Sequence, residues 1–177
     1  ISVLERLKEG FDLIRHKELS KWTRKFVFYW ELNGFPDGPG ADILNATAAI
    51  SIHHAYQHGW VEHVFEVVEI SYAYREIFEK IGILSEKEGD LLLAGAFLHD
   101  VGKLFQFKCT NGVYEYSDLC KAYGWHSNAE QIIGSNMLLL YCTKEEFPPG
   151  GMESFYALNN MIISHHGNQH SIGNSTY

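Results

Sequence analysis

The stretch LLLAGAFLHDVGK, Leu91 to Lys103, constrains this chain more than any other. From Leu91 to Leu98 no side chain is polar, and a helix that is apolar all round belongs inside a core. Ser85 with Glu88 three residues on has the spacing of a capping box. Gly102 offers a stop just after His99 and Asp100. The spacing therefore predicts a buried helix that ends on a histidine and a carboxylate side by side. A buried carboxylate without a partner is costly. A metal ion would supply the partner. So would a neutral His99 bonded to Asp100 or to a carbonyl, and the choice rests on the rest of the chain.

Read in order, Ile1–Glu9 is expected as a short helix ending at Gly10, with a second helical stretch from Phe11 to about Asn33. Leu19, Trp22, Phe26, Tyr29 and Asn33 recur at helical spacing, with Trp30 widening the apolar face. NGFPDGPG, Asn33–Gly40, is turn chemistry. Asp42–Ile52 reads as a short apolar helix. Ile52–His63, IHHAYQHGWVEH, holds four histidines. A long helix is expected from Trp60 to Ile81, closed by Gly82. Its glutamates Glu62, Glu66, Glu69 and Glu76 form one solvated face, and His63 heads an opposite row expected to face inward: Val67, Ile70, Tyr74, Ile77 and Ile81. His54 and His58, four apart, could share a helical face as ligand-supporting or substrate contacts, while His53 reads as structural or exposed.

Phe105–Cys109 and Val113–Tyr116 flank Thr110-Asn111-Gly112 as a small hairpin. Ser127 with Glu130 gives a second capping-box spacing, so a helix is expected from about Ser127 to Tyr141, with His126 at its mouth. Glu153–His166 is the last helix. Phe155, Leu158, Ile162 and His165 share its inner face, which points His165 inward more than His166. Strand signals are minor, so the fold class is all-α, a helical bundle with a possible β-hairpin near 105–116.

His63, His99, Asp100, His126, His165 and His166 thus fall at four helix starts or ends. As separate core histidines each would need its own buried hydrogen-bond partners, whereas one shared cation site accounts for all of them. Imidazoles with a carboxylate suit Mn, Fe, Ni or Zn. An Asp can bridge two such ions, and a pair about 3.5–4 Å apart suits in-line attack on a phosphate ester. No G-x-S-x-G elbow is present, which counts against a Ser-His-Asp hydrolase.

These motifs resemble the HD superfamily of metal-dependent phosphohydrolases, and most of all the HD domain of YhaM-type 3′-5′ exoribonucleases. HHAYQHGWVEH (His53–His63), LLLAGAFLHDVGK (Leu91–Lys103), GWHSNAEQIIG (Gly124–Gly134) and IISHHG (Ile162–Gly167) carry the resemblance. It implies that His63, His99 and Asp100 hold one metal. Asp100 would bridge to a second, held by His126 with one or both of His165 and His166. Lys103 would reach substrate phosphate, and Asp100 and Lys103 would be the catalytic pair. Lys103, His54 and His58 are the candidate substrate contacts. Two departures stand out. The family has Gly-Gly where this chain has His58-Gly59, and no Asp or Glu follows Glu153 to match the family's final Asp ligand.

The expected activity is phosphoester hydrolysis on nucleotides or single-stranded nucleic acid, with one or two divalent transition-metal ions. The rival readings are an HD-type conjugative relaxase domain acting on DNA and a non-catalytic nucleotide-binding HD module. A net charge of −8 argues against a broad basic surface for duplex nucleic acid. No apolar run is long enough for a bilayer span, so no membrane partner is expected. Three cysteines without zinc-site spacing read as free thiols of a cytoplasmic protein. At 177 residues the chain is expected to be a single HD-type domain. Because it opens on Ile1, it is expected to be a fragment of something longer.

Overall fold

A computed structural model describes residues 2–51, 54–124 and 128–167. The fold is a helical bundle with one two-stranded hairpin. The first helix, α1 (Val3–Phe11), opens on a Ser2–Glu5 capping box. It runs through Gly10 rather than stopping there. A side chain at that position would lie 3.0 Å from the Phe97 ring, so the missing Cβ lets α1 close on the core. Phe11 then stacks on Phe97 at 4.2 Å between centroids.

The expected helix from Phe11 begins later, as α2 (Lys17–Leu32). The reason is electrostatic. The backbone N–H groups of Arg15 and His16 donate to the Asp90 carboxylate at 3.2 and 2.9 Å, which holds the chain out of helical geometry between the two helices. His16 then caps α2 by accepting from the Leu19 N–H. Leu19, Trp22, Phe26 and Trp30 are buried as their spacing predicts. Trp22 and Phe26 both meet the Tyr141 ring edge-on. The helix expected over 42–52 is only a 3-10 turn, Ile43–Asn45, capped by Asp42.

The long helix α3 (Gly59–Lys80) forms where expected, but it is rotated. Trp60, Val61, Val64 and Val68 face the core, while Ile70, Tyr74, Ile77 and Ile81 are each more than half exposed. The rotation is fixed at its first turn, where the Trp60 indole N–H donates to the Asp100 carbonyl at 2.9 Å. The expected inward row below Val67 is therefore solvent-facing.

The central helix α4 (Glu86–Leu98) starts on the Ser85–Glu88 capping box and is buried from Gly89 onward except at Leu92. Helices α1, α2, α3 and the last helix surround it. A short α5 (Lys103–Gln106) leads into strands β1 (Phe107–Thr110) and β2 (Val113–Tyr116), paired antiparallel with Phe107 opposite Tyr116. Asn111 and Gly112 turn the hairpin at φ 52° and 80°, the left-handed pair that a tight hairpin requires. Then come α6 (Asp118–Ala122), α7 (Ala129–Lys144) and α8 (Met152–Ser164). All three cysteines are free. Among the described residues no helix is long and apolar enough to cross a membrane.

Candidate metal centre

Asp100 is the hub. It sits just beyond the C-terminus of α4, 1% exposed. Its Oδ2 lies 3.0 Å from His63 Nε2, 3.3 Å from His99 Nε2 and 2.7 Å from Lys103 Nζ. Its Oδ1 lies 3.1 Å from His165 Nε2. Helix α3 brings His63, the end of α4 brings His99, and the end of α8 brings His165 and His166.

The ring protons follow from the partners. His99 Nδ1 is 2.8 Å from the Ala96 carbonyl and His165 Nδ1 is 2.7 Å from the Ile162 carbonyl. A carbonyl only accepts, so each Nδ1 carries the proton and each ring, when neutral, turns the lone pair of its Nε2 toward Asp100, that of His99 also facing His63 Nε2 at 3.2 Å. Hence Asp100 Oδ1 and His165 Nε2 face each other with no hydrogen bond, among the described residues. Two buried lone-pair groups aimed at one spot call for a cation. Burial works against an imidazolium at His165, but the Asp100 charge 3.1 Å away outweighs it and raises the His165 pKa. Burial likewise opposes ionisation of Asp100, yet the imidazoles of His63, His99 and His165 around it hold its carboxyl well below the usual range.

His63, His99 and Asp100 form one group whose ligand atoms lie within 4.8 Å of one another, and Asp100, His165 and His166 form another. Sharing Asp100, the two make a site for one or two divalent cations. Imidazole nitrogen with carboxylate oxygen is the donor set of a first-row transition metal. Outside them, His54, His63 and Glu66 form a third such group nearer the surface, with His54 Nε2 3.3 Å from Glu66.

The site opens into a cleft of about 560 Å³. Val67, Leu92, Ala96 and Met161 make an apolar wall, and His63, His99, Asp100, Lys103, His165 and His166 line its polar end. A larger cleft of about 730 Å³ runs past Arg15, His16, Asp90 and Ser154. No metal-ligating group converges there among the described residues, so the smaller cleft is the candidate site.

His63, His99, Asp100, Lys103, His165 and His166 are thus brought together. His54 lies beside His63, with ring centroids 5.4 Å apart. His58 is elsewhere. It is the residue before α3, at φ 72°, and its Nδ1 bonds the Leu44 carbonyl. Neither His54 nor His58 is helical; both have left-handed backbones. His126 and His53 lie outside the described residues.

Glu130 is the residue that the sequence hides. Its spacing from Ser127 suggests a surface capping box, but Ser127 lies outside the described residues and Asn128 precedes α7 without a side-chain cap. Glu130 is 2% exposed. Its Oε2 accepts from Gln106 Nε2 and its Oε1 lies 3.1 Å from His166 Nδ1. Burial, reinforced by the Asp100 charge, raises its pKa. Gly102 permits this placement: a Cβ there would sit 1.8 Å from the Glu130 carbonyl oxygen. Gly102→Ala should therefore push α5 off α7 and cost about 1–3 kcal/mol of stability, read by thermal melting. Metal affinity should fall with it, because Lys103 and Glu130 move with the two segments. Unchanged melting and metal binding would mean that this contact is not needed.

The HD domain family model matches residues 60–170, which span every element of this site except His54 and His58. The chain belongs to the HD domain family. It is also similar to a dihydroneopterin 2',3'-cyclic phosphate phosphodiesterase from Methanocaldococcus jannaschii, with 29% identity over 120 residues. That alignment covers 66% of this chain and 47% of the relative, so the matched segment spans about half the relative's length. No solved structure matches the chain. The finer likeness to YhaM-type exoribonucleases receives no support from these comparisons, which reach the HD domain alone.

Proposed function

We propose that this HD domain is a metal-dependent phosphohydrolase that cleaves a small phosphodiester, of the class of nucleoside or pterin cyclic phosphates. The observation that carries the reading is the bare Nε2 of His165 aimed at Asp100 Oδ1, with His63 and His99 on the other carboxylate oxygen. His63, His99 and Asp100 would hold one divalent cation, and Asp100, His165 and His166 a second. Such cations supply charge to phosphoryl oxygens and acidify water. The chain's own residues do the rest. Lys103 Nζ, now on Asp100, lines the cleft and would donate to a phosphoryl oxygen. The wall of Val67, Leu92, Ala96 and Met161 would take an apolar ring face.

A small substrate is favoured over a strand. A single-strand channel combines a cationic groove with stacking aromatics. Among the described residues this cleft is lined by one lysine and by neither arginine nor Phe, Tyr or Trp. The net charge of −8 points the same way. The relative whose name includes a cyclic phosphate phosphodiesterase activity agrees in substrate class. The YhaM-like reading, a 3′ end of single-stranded RNA, is the alternative.

The test is a Mn²⁺-supplemented panel of 2',3'-cyclic nucleotides, bis(p-nitrophenyl) phosphate and a 5'-labelled oligoribonucleotide. Ring opening of the cyclic phosphates with the oligonucleotide left intact is expected. Stepwise shortening of the oligonucleotide would install the exonuclease reading instead. A metal-loaded protein inert to all three would end the phosphohydrolase reading.

A further inference from the structure

We infer that Glu130 is a positioning residue that presents His166 to the metal centre, in the role that backbone carbonyls play for the other two histidines that end α4 and α8. The inference rests on the metal-dependent reading above. His99 and His165 each give Nδ1–H to a carbonyl three residues back, at 2.8 and 2.7 Å. That bond leaves Nε2 bare for a cation. His166 follows the same rule with a different acceptor: its Nδ1 lies 3.1 Å from Glu130 Oε1. An ionised carboxylate can only accept, so against ionised Glu130 the proton again belongs on Nδ1 and the lone pair on Nε2. A carboxylate behind a ligating imidazole fixes the ring and makes it a stronger donor.

Several features make this a built arrangement. Glu130 is 2% exposed. Gln106 Nε2 donates to its other oxygen at 3.1 Å. The Gly102 backbone packs against its carbonyl at a distance that no Cβ allows. His166 itself belongs to the group with Asp100 and His165 whose ligand atoms lie within 4.8 Å. A second carboxylate beside Asp100 is therefore brought to the site by α7.

The experiment is a double-mutant cycle on Mn²⁺ binding to the whole chain, counted by the EPR signal of free Mn²⁺, with Glu130→Gln, His166→Ala and both together. Gln keeps the shape of Glu, and its amide N–H can turn to Gln106 Oε1, which has no bond among the described residues. The expected result is a dissociation constant raised about 10–100-fold by Glu130→Gln for one ion, with no further loss in the His166→Ala background. Equal weakening in both backgrounds would make Glu130 a structural residue and overturn the inference. So would unchanged affinity. A wild-type protein that binds no Mn²⁺ would overturn the metal-dependent reading together with the inference.

A second measurement does not depend on any variant. Long-range ¹H–¹⁵N spectra of the chelator-treated wild type should show neutral His166 protonated at Nδ1. Protonation at Nε2 would overturn the assignment even where metal binding is intact.

Discussion

Asp100→Asn is expected to remove metal binding and phosphoester turnover while leaving the helical bundle folded. Asn matches Asp in shape but carries no charge. It would face the Nε2 atoms of His63, His99 and His165 and the ammonium of Lys103, with nothing to balance one or two divalent cations. The charge stabilisation that such cations give a phosphoryl group is worth several kcal/mol, so turnover should fall by about three orders of magnitude or more. Metal content after dialysis should fall in parallel. Leu98→Ala is the contrast. It opens a cavity at a fully buried position and should cost about 2–5 kcal/mol of stability while metal content changes little. If Asp100→Asn kept wild-type turnover, Asp100 would be a hydrogen-bond partner for its neighbours and nothing more.

The difference between what the sequence shows and what the fold adds is clear at individual residues. The burial of Leu91–Leu98 was legible because no polar side chain interrupts it, and the Ser85–Glu88 cap because it is local. His63, His99, Asp100 and His165 were legible because each ends or begins a periodic segment. The rotation of α3 was not. Two apolar rows compete for the core on that helix, and a bond between Trp60 and the Asp100 carbonyl forty residues away decides which is buried. Glu130 and His58 failed in opposite directions for one reason. Spacing to a near neighbour says nothing about partners distant in sequence, here Gln106 and His166 for Glu130 and Leu44 for His58.

The same limit hid Asp90, where the largest stability effect is expected. Nothing in EKEGDLLL marks its carboxylate as more than a polar residue in the first turns of a helix. In the fold it is 5% exposed and ties three elements together. Its Oδ1 accepts from the Arg15 backbone N–H, Arg15 Nε and Arg75 Nη1, and its Oδ2 from the His16 N–H. Arg75, from α3, is 3% exposed. Its remaining bonds go to the Leu13 carbonyl and to Glu76. Asp90→Ala therefore leaves two backbone donors without their acceptor and takes from the buried Arg75 guanidinium its one buried carboxylate partner, with the half-exposed Glu76 remaining. Breaking a buried pair by removing one partner costs about 3–5 kcal/mol, and for a chain of this length that lowers the melting temperature by roughly 6–20 °C. Combining Asp90→Ala with Arg75→Met should recover part of the loss, because the buried charge that lost its buried partner is gone. Asp90 stands ten residues before Asp100, with α4 running between them to Leu98, so the two carboxylates are about 15 Å apart along the helix direction. Metal stoichiometry of the folded variant should therefore match the wild type. A melting temperature within about 2 °C of wild type would show that water reaches Arg75 once the carboxylate is gone and that this junction does not hold α2, α3 and α4 together.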